Sequence, residues 1–115
     1  MTRVPKDKDR RDAMCERLAR LIDHVYGGSD VVMAELLGYT NSSTLYRVRK
    51  GLAFPDVERL ERLVNAPPAA DVVVNLNWLI AGEGSPLLRL ARGRYTGELS
   101  IGEYIDRTQR PEADE

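Results

Sequence analysis

Hydroxyls and cations crowd one short stretch of this chain. Between Asn41 and Gly51 the sequence runs Ser42-Ser43-Thr44-Leu45-Tyr46-Arg47-Val48-Arg49-Lys50. Leu45 and Val48 are the aliphatic pair at helical spacing. A helix here therefore has a narrow buried seam and turns Ser42, Ser43, Arg47 and Lys50 away from it. The arginine fork matches two acceptors on one base edge, serine hydroxyls donate or accept, and lysine supplies a point charge. Those groups suit base edges and phosphates. A plainer reading stands beside this one, in which the same side chains merely solvate an exposed helix.

Other chemistry is poorly supplied. Cys15 is the single cysteine and His24 the single histidine, which excludes an internal disulfide and a zinc centre of several cysteines. Nine residues apart on one helix, the two side chains point to opposite sides, about 180° around its axis, so they form no nucleophile–base pair. No catalytic activity, metal or cofactor is expected. Apolar runs such as Val72-Val73-Val74 are too short to span a bilayer. The opening Met1-Thr2-Arg3-Val4-Pro5-Lys6-Asp7 has no apolar segment behind its cations. The expectation is a cytoplasmic protein with no membrane partner.

The chain has 115 residues, 43% hydrophobic and 30% charged, with a net charge of −1, a balance that fits one ordinary folded domain. The charge is uneven. Residues 1–55 hold ten Lys/Arg against seven Asp/Glu, and residues 56–115 hold seven against eleven. A basic face backed by an acidic remainder is one meaning of that split.

The positioning elements are read from apolar spacing. Residues 1–9 read as a polar arm. From Arg10, the residues Met14, Leu18, Leu21, Ile22 and Val25 form one helical stripe, which Gly27-Gly28 ends. Ser29 or Asp30 caps a short helix running to Leu37, with Met33, Leu36 and Leu37 inward and Ala34 permitting a close crossing. Gly38 supplies the left-handed turn, and Asn41 caps the hydroxyl-rich helix. Pro55 opens a fourth helix that points Val57, Leu60, Leu63 and Val64 inward, and Pro67-Pro68 ends it. A fifth, from about Asp71 to Ala81, buries Val72, Leu76, Leu79 and Ile80 until Gly82 closes it. Trp78 reads as a core or interface aromatic. Pro86 to Ala91 suits a turn or two of helix. Ser100-Ile101-Gly102-Glu103 has capping-box spacing for a short helix, with a strand through Leu99 and Ile101 as the alternative. The fold expected is all-α: five helices over residues 10–84, then an extension over residues 85–115 with a frayed tail.

Short helix, tight turn, short polar helix is a helix-turn-helix arrangement. Residues 30–55 resemble the lambda-repressor-like, XRE-type helix-turn-helix of bacterial and phage regulators. Ala34, Gly38, Leu45, Val48, Gly51 and Pro55 match its small, turn, core, cap and helix-start positions. Asn75-Leu76-Asn77-Trp78-Leu79-Ile80-Ala81-Gly82-Glu83-Gly84 is similar to the ending common in phage repressor domains. Two departures stand out: one extra residue between Gly38 and Gly51, and Ser29-Asp30 where the family often carries glutamine. No protease-like domain follows.

The resemblance implies a sequence-specific regulator, most simply a dimeric repressor occupying a pseudo-palindromic operator in double-stranded DNA. Carried over by position, Ser42, Ser43, Arg47 and Lys50 face base edges. Thr44, Tyr46 and Arg49 fall to phosphates, with Arg3, Lys6, Lys8, Arg10 and Arg11 of the arm region. Lys50 also suits a phosphate, Tyr46 either stacks on the sugar–phosphate or tucks against the body, and the arm is either merely solvated or tracks DNA. Leu99, Ile101, Tyr104 and Ile105 have no evident core to enter and read as a homodimer seam. The rival reading is an antitoxin that regulates its own operon and binds a toxin through its acidic half. A protein antagonist of the repressor is a further candidate partner.

Overall fold

In the computed structural model, which describes residues 7–109, α1 spans Asp7–His24, α2 Asp30–Leu37, α3 Ser43–Arg49 and α4 Val57–Val64. There follow β1 (Val72–Val74), α5 (Leu76–Ala81), β2 (Leu87–Ala91), β3 (Arg94–Leu99) and α6 (Ile101–Gln109). The all-α expectation is therefore corrected: six helices are joined by a three-stranded antiparallel sheet in the order β1-β2-β3. Helix α1 also starts at Asp7, inside the stretch read as an arm.

The first four helices follow their local signals. Leu18, Leu21 and Ile22 form the buried stripe of α1, continued by Val25 just past its end, with Cys15 beside them and Met14 only half-buried. Ser29 caps α2 by accepting the Val32 N–H at 3.2 Å, a bond of the kind worth about 1 kcal/mol. Gly38, at φ 88°, turns the chain out of α2 while its N–H returns to the Ala34 and Glu35 carbonyls. That left-handed conformation is cheap for glycine alone. Asp56, one residue after Pro55, caps α4 through the Arg59 N–H at 3.0 Å. Leu60 and Leu63 face the core, but Val57 is 81% exposed and does not.

The fifth helix was expected over Asp71–Ala81, and here the structure differs. Three consecutive β-branched valines form β1, all buried, and the helix begins only at Leu76. Asn75 makes the junction: its side chain accepts the Asn77 N–H at 3.1 Å and donates to the Ser85 carbonyl at 2.9 Å. A buried side-chain amide satisfied on both sides avoids the desolvation cost of an unpaired one. Trp78 is a core residue, with the Arg20 guanidinium over its ring at 5.6 Å, whereas Ile80 is 47% exposed.

Of the segment expected as a helix turn, Pro86 to Ala91, residues Leu87–Ala91 form β2. It pairs with β1 on one side and with β3 on the other, Leu87 lying opposite both Val74 and Leu99. Arg92-Gly93 makes the two-residue connection, both at positive φ (54° and 77°), the backbone that matches the twist of a hairpin. Thr96 is bulged out of the β2–β3 register. Ser100 and Glu103 then form the expected reciprocal box, Glu103 Oε1 accepting the Ser100 N–H at 2.9 Å and Ser100 Oγ the Glu103 N–H at 3.0 Å. Helix α6 follows directly.

Leu99, Ile101 and Tyr104 are buried, and Ile105 packs against the same cluster as α1, α2 and α4. Their reading as a dimer seam is therefore corrected. They fill this chain's own core, because β1 and β2 supply the apolar surface that an all-α domain lacked. Arg107 pairs with Asp71 and the Tyr104 hydroxyl donates to the Pro68 carbonyl at 3.3 Å, fastening α6 over the α4–β1 connection. Among the described residues no helix is long and apolar enough to cross a membrane.

Candidate nucleic-acid interface

Helix α3 is held from beneath by Leu45 and Val48, both fully buried. Asn41 fixes its start by accepting the Ser43 N–H at 2.9 Å and the Ser43 hydroxyl at 2.5 Å. Everything else on the helix faces outward or lies at its rim. Ser43, Tyr46, Arg47 and Lys50 are exposed, and Ser42 and Thr44 are half-buried. Tyr46 does not tuck against the body: it is 61% exposed, with the Lys50 ammonium over its ring at 5.4 Å. Arg47 has no carboxylate partner among the described residues, so its fork is available.

Arg49 is placed differently. Its guanidinium reaches Asp23 of α1 (Nη2 to Oδ1, 2.8 Å) and Asp30 of α2 (Nη2 to Oδ1, 2.8 Å; Nε to Oδ2, 3.1 Å). One side chain thus ties three helices together. Hydrogen bonding from Arg49 holds the Asp23 carboxyl below the usual aspartate range, and the two carboxylates push the Arg49 pKa upward. With its charge balanced inside the domain, Arg49 works first as a clamp on the orientation of α3. Sequence reading missed the clamp because its carboxylates lie 19 and 26 positions away. Asp30 had read only as a helix-start residue.

The clamp has a pH signature. A carboxyl whose folded pKa is depressed adds stability above its unfolded value, here near the ordinary 3.8, and loses it as pH falls through the folded value. These side chains are 28–45% exposed, so solvent screening trims the effect. Arg49→Met is expected to cost about 1–2 kcal/mol at neutral pH. Urea titrations should show that gap flat above about pH 5 and shrinking below about pH 4. A gap that ignores pH would mean that lost packing, not the ion pair, is what the substitution removes.

The arm-region cations separate into two groups. Lys8 and Arg11 line a groove of about 400 Å³ together with Asp12, Lys50 and Leu52, where α1 meets the end of α3. Arg11 Nε donates to the Gly51 carbonyl at 2.9 Å and Lys8 pairs with Asp12 at 3.1 Å, both at the surface. Arg10 instead lies on the flank of α1 beside α5, near Met14, Arg17 and Ile80. Three predicted phosphate-type cations, Lys8, Arg11 and Lys50, are thus brought to one rim of α3, and Arg10 is not. Arg3 and Lys6 lie outside the described residues.

Cys15 is buried and its thiol donates to the Ala53 carbonyl at 3.2 Å, while burial raises its pKa. A protonated, enclosed thiol is a poor nucleophile. Among the described residues no His, Cys, Asp and Glu side chains gather as metal ligands.

No family model, curated protein or solved structure matches this chain. Its geometry carries the argument alone.

Proposed function

We propose that the protein is a sequence-specific double-stranded DNA-binding regulator, acting as a dimer that occupies a two-fold operator from the cytoplasm. One observation carries this reading. Helix α3 is anchored by two buried side chains and clamped by Arg49, yet leaves Arg47 without a carboxylate partner among the described residues, beside exposed Ser43, Tyr46 and Lys50. A rigid helix with a free arginine fork is what direct reading of a major-groove edge requires. Lys8, Arg11 and Lys50 at the rim add cations where sugar–phosphate would flank the groove. Repression by operator occupancy needs no further domain and is the simplest action open to such a module.

The test is selection from a randomised duplex pool, followed by affinity measurements on the recovered site over a salt series. The expected result is a site with two-fold symmetry whose affinity falls steeply with salt. Weak binding that depends on salt alone, with no sequence enriched, would make α3 a scaffold and turn attention to a protein partner.

A further inference from the structure

Cations are sparse in the acidic half of the chain except at one place. Of the seven Lys/Arg in residues 56–115, three stand together as Arg89, Arg92 and Arg94, and no carboxylate occurs from Gly84 to Gly97. Arg89 is still paired with β1, opposite Val72, and its charge acts on Asp71 and Glu103. Arg92 and Arg94 lie beyond it, exposed at the hairpin tip, and neither has a carboxylate partner among the described residues. The last pair of core residues is Leu87 and Leu99. Ala91 sits four residues further out, about 13 Å along the strand, where β1 no longer reaches. The tip is therefore a two-stranded ribbon that stands off the core with unbalanced positive charge.

Its side chains serve both faces. Arg94 stands opposite Ala91 and Tyr95 opposite Leu90, so the two lie on opposite faces of the ribbon. Tyr95 is 70% exposed. Arg92 holds the turn at φ 54°, where asparagine or glycine is cheaper. A residue kept in costly backbone points to a use for its side chain. A flat partner such as an acidic protein surface meets one face of a ribbon and leaves the other uncovered. A cleft with two anionic walls meets both. Arginine forks match phosphate oxygens, and a tyrosine hydroxyl bonds phosphate or sugar. The major groove of B-DNA has such walls and admits a two-stranded ribbon. This patch is distinct from α3: the sheet lies against α4, whereas α3 lies against α1 and α2.

We propose that the hairpin tip is a second DNA contact, seated in a duplex groove and holding its phosphate walls through Arg92 and Arg94 without reading sequence. The inference rests on the DNA-binding reading and adds to it a contact that is mainly ionic. The probe is a duplex of random sequence, titrated by fluorescence anisotropy over a salt series. Arg92→Asn combined with Arg94→Gln should weaken binding by about tenfold or more at about 0.1 M salt and lower the salt slope by about two per bound chain. Tyr95→Ser, on the other face, should weaken binding several-fold with the slope kept. Arg92→Asn alone gives a readout that a structural role would not: its urea midpoint should rise, because asparagine suits the left-handed turn, while its affinity falls. A double variant with wild-type affinity and slope overturns the proposal and hands the tip to an acidic protein surface, and a silent Tyr95→Ser overturns seating in a groove. A selected operator whose affinity ignores the hairpin variants removes this inference alone. Random duplex held through the hairpin, with no sequence selected, removes the sequence-specific reading alone.

Discussion

Arg47→Ala is expected to lower affinity for the selected operator and to make one base position in each half-site indifferent to sequence. Loss of a bidentate arginine contact costs about 1–3 kcal/mol. Two half-sites double it, giving a loss of about 30-fold to 10⁴-fold in a symmetric dimer. The size of the effect follows from the placement of Arg47: exposed on a helix whose other side is fixed by Leu45 and Val48, with no carboxylate among the described residues to release first. Lys50→Ala should behave differently if it meets phosphate, weakening all sequences alike and reducing the salt slope by about one per half-site. Competition titrations against single-base variants of the operator separate the two. Uniform weakening by Arg47→Ala, with every base preference kept, would remove Arg47 from the reading set and demote it to a phosphate contact.

That contrast depends on a part of the molecule whose determinants are local. Ser29 is three residues from the N–H it caps, Gly38 sits at its own turn, and Asn41 is two residues from Ser43. Partners that close in sequence leave their pattern in the residues themselves, so α2, the turn and α3 were legible. The Ser100–Glu103 box was legible for the same reason. The orientation of α3 was not. It depends on Arg49 reaching Asp23 and Asp30 across two other helices, and spacing along one helix carries no trace of such a contact.

The sheet was missed for a related reason. Val72, Leu76, Leu79 and Ile80 match a helical stripe, and that match competes with the signal of three consecutive valines. What decides in favour of a strand is the pairing of Val72 and Val74 with Arg89 and Leu87, and β2 in turn was hidden by its turn. Arg92-Gly93 lacks the asparagine or aspartate that normally announces a two-residue hairpin. With no sheet in view, Leu99, Ile101 and Tyr104 had no core to join and were assigned to a partner subunit. One unrecognised turn therefore displaced the fold class and sent three core residues to the surface.

The correction at Leu99 carries the other large expected effect. Leu99 is 1% exposed and lies opposite Leu87 in the sheet, within the cluster that includes Leu18, Leu21 and Leu79. Removing its side chain leaves a cavity that strand and helix close only in part, so Leu99→Ala should cost about 2–5 kcal/mol of unfolding free energy. Against the marginal stability of a small domain, about 5–15 kcal/mol, that is a large fraction. Deleting residues 95–115 takes away Leu99, Ile101 and Tyr104 together with one strand of the hairpin, and the remainder is expected not to fold cooperatively. Denaturant titration of the point variant and thermal melting of the truncation check both. A dimer seam predicts the opposite pattern, with a stable, folded monomer in each case. A cooperative transition at the wild-type midpoint would return Leu99 to the surface.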